Sequence, residues 1–286
     1  MRYTESELKI LEDNFADSGK EKIIALMPNR TWNSLKSKAY SIGLSRPKFN
    51  PSNILKNNFK KLLDDNPETL YWIGYFLADG SIAKCNNQCS ISSSDKSHII
   101  KFQEFLNIEN LIAYKSKIST FNGKSYKSKQ SYKVTFADRR YIHEFIEKYD
   151  LKYSKTYKPP SPLLYGKLPN NLLLSLIIGF IDGDGTSYKL WNKRKTKFKK
   201  VIQMHVHSSW VDFLTDISTN LDEICETSSC KPRIGNDGYC IWRICKQNII
   251  YKLACEINAN QLPVSRKWTE ILEHIEDYNE IRPPSL

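Results

Sequence analysis

The chain predicts an α+β protein in which a small all-α three-helix domain precedes two pseudo-symmetric αββαββα repeats with antiparallel sheets. Three observations carry that prediction. Residues 1–46 hold three short amphipathic stretches with their own start and stop signals. Residues 67–286 run through one order of elements twice. Each copy opens on the same kind of apolar helix, "WIGYFLADG" in the first and "IIGFIDGDG" in the second.

In residues 1–46, Thr4 to Glu7 and Ser18 to Glu21 are S/T-x-x-E boxes that start helices. Leu8, Leu11 and Phe15 line the first helix, and Ile23, Ile24 and Leu26 the second. Thr31 caps a third, with Trp32, Leu35, Ala39 and Ile42 on one face and Gly43 at its end. Asn33, Lys36, Ser37 and Tyr40 project from the opposite face. The stretch "RTWNSLKSKAYSIGL" resembles the Myb-like or homeodomain-like helix-turn-helix family. That resemblance implies a last helix entering a DNA major groove, although a three-helix protein-interaction module shows the same pattern. Residues 47–66 are basic and rich in Asn and Pro, and read as a linker with one short helix.

The first repeat, residues 67–160, starts its helix at Asn66 and Pro67, proline being favoured in the first helical turn. A hairpin at 81–94, a helix at 96–107, a hairpin at 113–136 around "FNGKS" and a helix at 139–149 follow. The second repeat, residues 161–286, starts its helix at Pro169 and repeats the order: hairpin 186–208, helix 210–224, a hairpin around "GNDG" at 235–238, helix 248–258 and a last helix near 266–277.

A formal charge of +12 and a pI near 9.2 point to a polyanionic partner. No acid separates Glu109 from Asp138 or Asp184 from Asp212, and both windows, each read as a hairpin, are dense in Lys and Arg. The longest apolar run, Leu172 to Ile181, is about half a bilayer span, and the N-terminus has no signal-peptide core. Seven cysteines without a secreted-scaffold spacing fit a reducing cytoplasm.

The two apolar helices break local rules. Acids in a last turn face the negative end of the helix dipole, and glycine costs about 1 kcal/mol in a helix interior. Gly74 with Ala78, and Gly179 with Gly183, make a small-xxx-small stripe on each helix, a surface on which two backbones approach closely. Packed along those stripes, the helices bring Asp79 and Asp184 together, and the repulsion of two carboxylates is relieved by Mg²⁺. Metal ions held there activate water and clamp a scissile phosphate. The paired segments resemble the motifs of the LAGLIDADG homing endonuclease family in its single-chain, two-repeat form, over roughly residues 67–280. The resemblance implies two four-stranded sheets forming a saddle over the DNA major groove, with Asp79 and Asp184 as the catalytic acids that share two or more Mg²⁺ ions. It also implies a basic residue at the end of the second hairpin, assigned here to Lys246, with Lys155 and Lys267 at matching places in the two copies. Asp182 stands where the first motif has Leu77 and reads as a residue supporting the ligands from behind or merely solvated, not as a ligand. Ser93 and Ser208, ending the first hairpins, are candidates to touch metal-bound water.

Strand alternation buries Tyr132, Val134, Phe136, Ile202, Met204 and Val206, and turns Lys133, Thr135, Gln203, His205 and His207 outward. Lys115, Lys117, Lys195, Lys197, Lys231, Arg233 and Arg243 complete the candidate DNA contacts. Cys225, Cys230, Cys240 and Cys245 space as two Cx4C pairs, which invites zinc, but Cys245 alternates away from Cys240. His205 and His207 have no acidic partner within their own hairpin. The expectation is a monomeric, metal-dependent DNA endonuclease of a mobile genetic element, cutting a long asymmetric target. The rival is a non-cleaving DNA-binding regulator, or a maturase that binds group I intron RNA.

Overall fold

The computed structural model describes residues 3–15, 20–44, 58–83, 88–108, 111–114, 118–121, 124–127, 130–138, 140–161, 165, 167–192 and 197–273. The chain divides into two compact units, Met1–Leu55 and Lys56–Leu286.

The first unit holds α1 (Glu5–Asn14), α2 (Lys20–Leu26) and α3 (Trp32–Ser41). The Thr4 box forms: its side chain accepts from Glu7 N while the Glu7 carboxylate accepts from Thr4 N. Arg30 pairs with Glu7 at 2.8 Å and holds its carboxyl at about 2. Leu11, Phe15, Ile23, Met27, Leu35 and Ala39 form the core. Met27 takes the place expected for Leu26, which is exposed because the last turn of α2 rotates it outward. Thr31 caps α3, Gly43 follows it at φ +81°, and Asn33, Lys36, Ser37 and Tyr40 are exposed. Ser18 lies outside the described residues.

The second unit is the αββαββα pattern run twice. Its first copy contains α4 (Pro67–Asp79), β1 (Gly80–Ile82), β2 (Cys89–Ser93), α5 (Lys96–Leu106), β3 (Ile112–Tyr114), β4 (Ile118–Phe121), β5 (Lys124–Lys127), β6 (Ser131–Phe136) and α6 (Ile142–Lys148). The second contains α7 (Asn170–Asp184), β7 (Gly185–Asn192), β8 (Lys197–His207), α8 (Val211–Ile224), β9 (Arg233–Ile234), β10 (Tyr239–Ile244) and α9 (Gln247–Asn260). Two four-stranded antiparallel sheets run β1-β2-β6-β3 and β7-β8-β10-β9, the same order in each copy. The second hairpin of the first copy is not one ladder, because β4 and β5 pair as a separate two-stranded sheet between β3 and β6. The last helix is described only as far as residue 273.

Residues 58–66, expected as linker, belong to this unit: a 3₁₀ turn at Phe59–Leu63 buries Phe59 and Leu62, and Asn58 N donates to Leu106 O at 2.7 Å. One core runs continuously from these side chains through α4 and α7 to Trp268 and Ile271. The expected inward positions Val134, Phe136, Ile202, Met204 and Val206 are buried, whereas Tyr132 is half-buried; alternation breaks at Lys200–Ile202 of β8 and Cys89–Ile91 of β2, where three consecutive residues are buried.

Candidate active site

Asn66 caps α4 by accepting from Thr69 N, Pro67 starts it, and the helix then buries nine consecutive residues from Thr69 to Leu77. In α7 the buried run extends from Leu172 to Asp182. Helices buried on all sides pack against a neighbour on every face, and here the neighbour on the small face is the other helix. A Cβ at Gly74 would overlap the Leu176 carbonyl, one at Gly179 the Tyr71 carbonyl, and one at Gly183 the Cβ of Ala78. Backbone meets backbone along the stripe, so the two C-termini end side by side.

Asp79 and Asp184 are the last residues of α4 and α7, each followed by an extended glycine. Asp79 is half-buried and Asp184 opens to solvent. Burial raises the Asp79 carboxyl above its ordinary value, against the pull of Lys267, Tyr75 and Lys155. Burial and then the Asp79 charge push Asp184 up to about 6, against Lys155 and Lys267. The two acids therefore feel each other, and both feel the same two lysines. An open cleft of about 350 Å³ lies beside them, with Tyr75, Asp79, Ser93, Ser265 and Lys267 in its wall.

The lysines are placed by the same rule twice. Lys155 Nζ donates to the carbonyls of Leu77 and Ala78 at 2.7 and 2.5 Å, and Lys267 Nζ donates to those of Asp182 and Gly183, both at 2.6 Å. Each ammonium thus satisfies carbonyls at a negative helix end, where cations are favoured. Burial lowers Lys155 to about 8 although Asp184 and Asp79 hold its proton. The segments that carry the lysines are anchored across the repeats. Thr156 O accepts from Ser209 Oγ (2.7 Å) and Trp210 Nε1 (3.2 Å) of the second copy. Val264 O accepts from Lys101 Nζ (2.9 Å) of the first copy, and Arg266 approaches Asp95 at 3.7 Å.

Other expected residues fall elsewhere. Lys246 is exposed at the N-cap of α9. The basic groups that act on both carboxyls are Lys155 and Lys267, whose only sequence signal is their matching position after each repeat. Asp182 borders the cleft but is not solvated: it is 2 % exposed, accepts from Tyr71 Oη at 2.5 Å and Ser265 N at 2.7 Å, and bonds Ser265 Oγ. Ser93 lines the cleft and accepts from Asp95 N, while Ser208 sits in the 3₁₀ turn before α8.

On the outer sheet faces, Lys133 and Thr135 are half-buried, as are Gln203 and His207, while His205, Arg233 and Arg243 are exposed. Arg243 sits opposite Gln203 and donates to its side chain at 2.6 Å. His205 does find an acid, Asp237 at 3.0 Å, because the β9–β10 turn folds against its strand. Lys231 is exposed, and its ammonium pairs with Asp222 of α8 at 2.9 Å. Lys200, within the basic window, is buried and paired with Glu270 at 2.6 Å. Lys115, Lys117 and Lys195 lie outside the described residues, as does the side chain of Lys197. Cys240 is in the core and Cys230 exposed; among the described residues no three His, Cys, Asp or Glu side chains converge on a metal position. No helix among them is long and apolar enough to cross a membrane.

No curated protein matches the sequence. Among solved structures, the chain is similar to the LAGLIDADG homing endonuclease I-GzeII in complex with its DNA target, at 11% identity over 77% of this chain and 94% of that one, TM-score 0.45. It is also similar to I-LtrWI bound to target DNA, at 15% identity over 76% of this chain and 90% of that one, TM-score 0.43. I-SmaMI bound to cleaved DNA gives 13% identity over 76% and 92% of the two chains, TM-score 0.41. The assignment that the sequence itself carries is for the first repeat: residues 66–150, from the cap of α4 to just beyond α6, match the family of LAGLIDADG-like domains.

Proposed function

We propose that the chain is a site-specific DNA endonuclease that hydrolyses both strands of a long, asymmetric target. The observation that carries the reading is the confinement of Asp79 and Asp184 at two helix ends that pack backbone to backbone, so that neither carboxylate can retreat from the other. These two acids fit Mg²⁺. Both offer hard oxygen donors, and both carry a penalty of burial or mutual repulsion that a divalent cation relieves. One or two carboxylates are what Mg²⁺ usually takes from protein, with water and phosphate oxygens completing its shell. When bound, the metal supplies an activated water and neutralises charge on the phosphate.

The remaining work falls to the chain's own groups. Lys155 and Lys267 present fixed positive charge beside the reacting phosphate, stabilisation that costs no reorganisation as charge develops. Lys155, with its Nζ at about 8, holds a proton near working pH and suits its transfer to the leaving oxygen. The outward residues of the sheets, Lys133, Thr135, Gln203, His205, His207, Arg233 and Arg243, supply groove and phosphate contacts. Asn33, Lys36, Ser37 and Tyr40 of α3 extend the footprint as a helix-turn-helix surface.

The test is cleavage of a randomised DNA library with Mg²⁺ by the wild type, Asp79→Asn and Asp184→Asn. Cleavage abolished by either substitution supports the paired site and yields the target. Specific binding without cleavage by the wild type overturns the reading and moves the chain to the regulator or maturase class.

A further inference from the structure

The two repeats differ at one point that bears on chemistry. Where α4 has Leu77, α7 has Asp182, and Asp182 is fully buried although no metal position needs it there. Its Oδ2 accepts from Ser265 N at 2.7 Å and from Tyr71 Oη at 2.5 Å, and its Oδ1 bonds Ser265 Oγ. Ser265 Oγ in turn accepts from Lys267 N at 3.2 Å. The bonds converge on one stretch of irregular chain, residues 264–267, whose last side chain reaches the carbonyls of Asp182 and Gly183. The carboxylate and the main-chain carbonyl of the same residue thus grip the two ends of one short segment. Lys155 has no such clamp on its own helix: Leu77 offers only its carbonyl, and the Lys155 segment is held instead by Ser209 and Trp210 through Thr156 O.

We propose that Asp182 is a positioning residue for Lys267: through Ser265 it sets where that ammonium stands at the acids, in the second repeat only. The proposal rests on the endonuclease reading for its catalytic consequence, not for its geometry. Carboxylate hydrogen bonds to a buried main-chain N–H and hydroxyl are among the stronger ones, and apart from the local turn bonds of Lys267 N to Ser265 Oγ and Trp268 N to Ser265 O, the polar partner that holds Ser265 among the described residues is Asp182. Losing them frees Lys267 while Lys155 keeps its own anchors. Because the two lysines stand on different helix ends, the expected defect is unequal for the two DNA strands.

Three variants decide the matter. Asp182→Leu makes the second motif like the first. Ser265→Ala is milder, removing the hydroxyl link and keeping the main-chain bond. Asp182→Asn keeps one acceptor and serves as the conservative rescue. The first readout is limited acetylation of surface amines followed by peptide mass spectrometry, which needs no activity. Lys267 should label about tenfold faster in Asp182→Leu, less so in Ser265→Ala, and near the wild-type rate in Asp182→Asn, with Lys155 unchanged throughout. Unchanged Lys267 labelling, or equal gains at both lysines from a loosened interface, overturns the proposal. The second readout is nicking of each strand separately. Slowed nicking of one strand in the order Asp182→Leu, Ser265→Ala, Asp182→Asn supports it, and equal slowing of both strands overturns the strand assignment. If the wild type cuts no DNA, the endonuclease reading fails by itself, and the labelling result still decides whether Asp182 positions Lys267.

Discussion

Replacing Gly183 by alanine tests whether the α4–α7 contact is set by single atoms. The added methyl would sit on the Cβ of Ala78, well inside the roughly 3.5–4.0 Å at which carbons rest in contact. Overpacking of this kind costs about 1–3 kcal/mol, while the same change recovers about 1 kcal/mol of helix propensity. The net is a loss of up to about 2 kcal/mol. At about 2–4 °C per kcal/mol for a unit of this size, the melting temperature should fall by up to about 8 °C. Gly179→Ala should lose about 3 kcal/mol or more, since its methyl meets the Tyr71 carbonyl and Tyr75 N, which no rotamer change can move. The decisive variant is the exchange Ala78→Gly with Gly183→Ala, which moves one methyl across the interface and leaves the helix propensities balanced. It should return to within about 0.5 kcal/mol of the wild type by urea unfolding, giving a coupling between sites that distant pairs do not show. Additive losses in the double variant, or a Gly179→Ala protein as stable as the wild type, would refute the close-contact argument.

Asp184 has a folded pKa raised to about 6, so the stability it contributes is full below its unfolded value and is lost as pH rises through 6. Asp184→Asn should therefore melt higher than the wild type at pH 7.5 in a chelator, with an advantage that shrinks as pH falls from 6 towards 4, and Mg²⁺ should stabilise only the wild type. Lys155→Gln and Lys267→Gln should each slow cleavage by about 10²-fold or more while leaving DNA affinity in a mobility-shift assay nearly unchanged. Lys133→Glu should reduce the slope of log affinity against log salt by about 1 or more, whereas Arg243→Ala should relax base preference at one position by about 1–3 kcal/mol in competition binding.

The sequence was most legible where periodic patterns decide structure. The two small-residue stripes predicted a helix pair before any contact was known, because only close backbone approach makes Gly74 and Gly179 favourable in helix interiors. Outward and inward positions from Ile202 to His207 of β8 follow from alternation, whereas the burial of Lys200 and Val201 does not. The irregular segments were illegible for a physical reason: Lys155 and Lys267 reach the acids along stretches with no period, fixed by partners in the opposite repeat. Lys246 is legible because it stands at the end of a periodic strand, β10. The contacts of Asp182 are not legible in the sequence because its partners, Tyr71 and Ser265, are 111 and 83 residues away in the chain. Lys200 shows the same limit, since composition counts a lysine as surface charge even when it is buried against Glu270.

The cross-anchoring of the lysine segments has a consequence for building hybrids. A recombinant that joins the first half of this protein to the second half of another inherits Lys155 but loses the Ser209 and Trp210 donors that hold its neighbour. The foreign half, in turn, brings its own counterpart of the 264–266 segment to Lys101 and Asp95 instead of to the partners its own first half supplied. The natural unit of exchange is therefore a half together with the turn before the first sheet-covering helix of its mate. A library that grafts those turns along with each half should recover active chimaeras that a cut at residue 160 alone would miss.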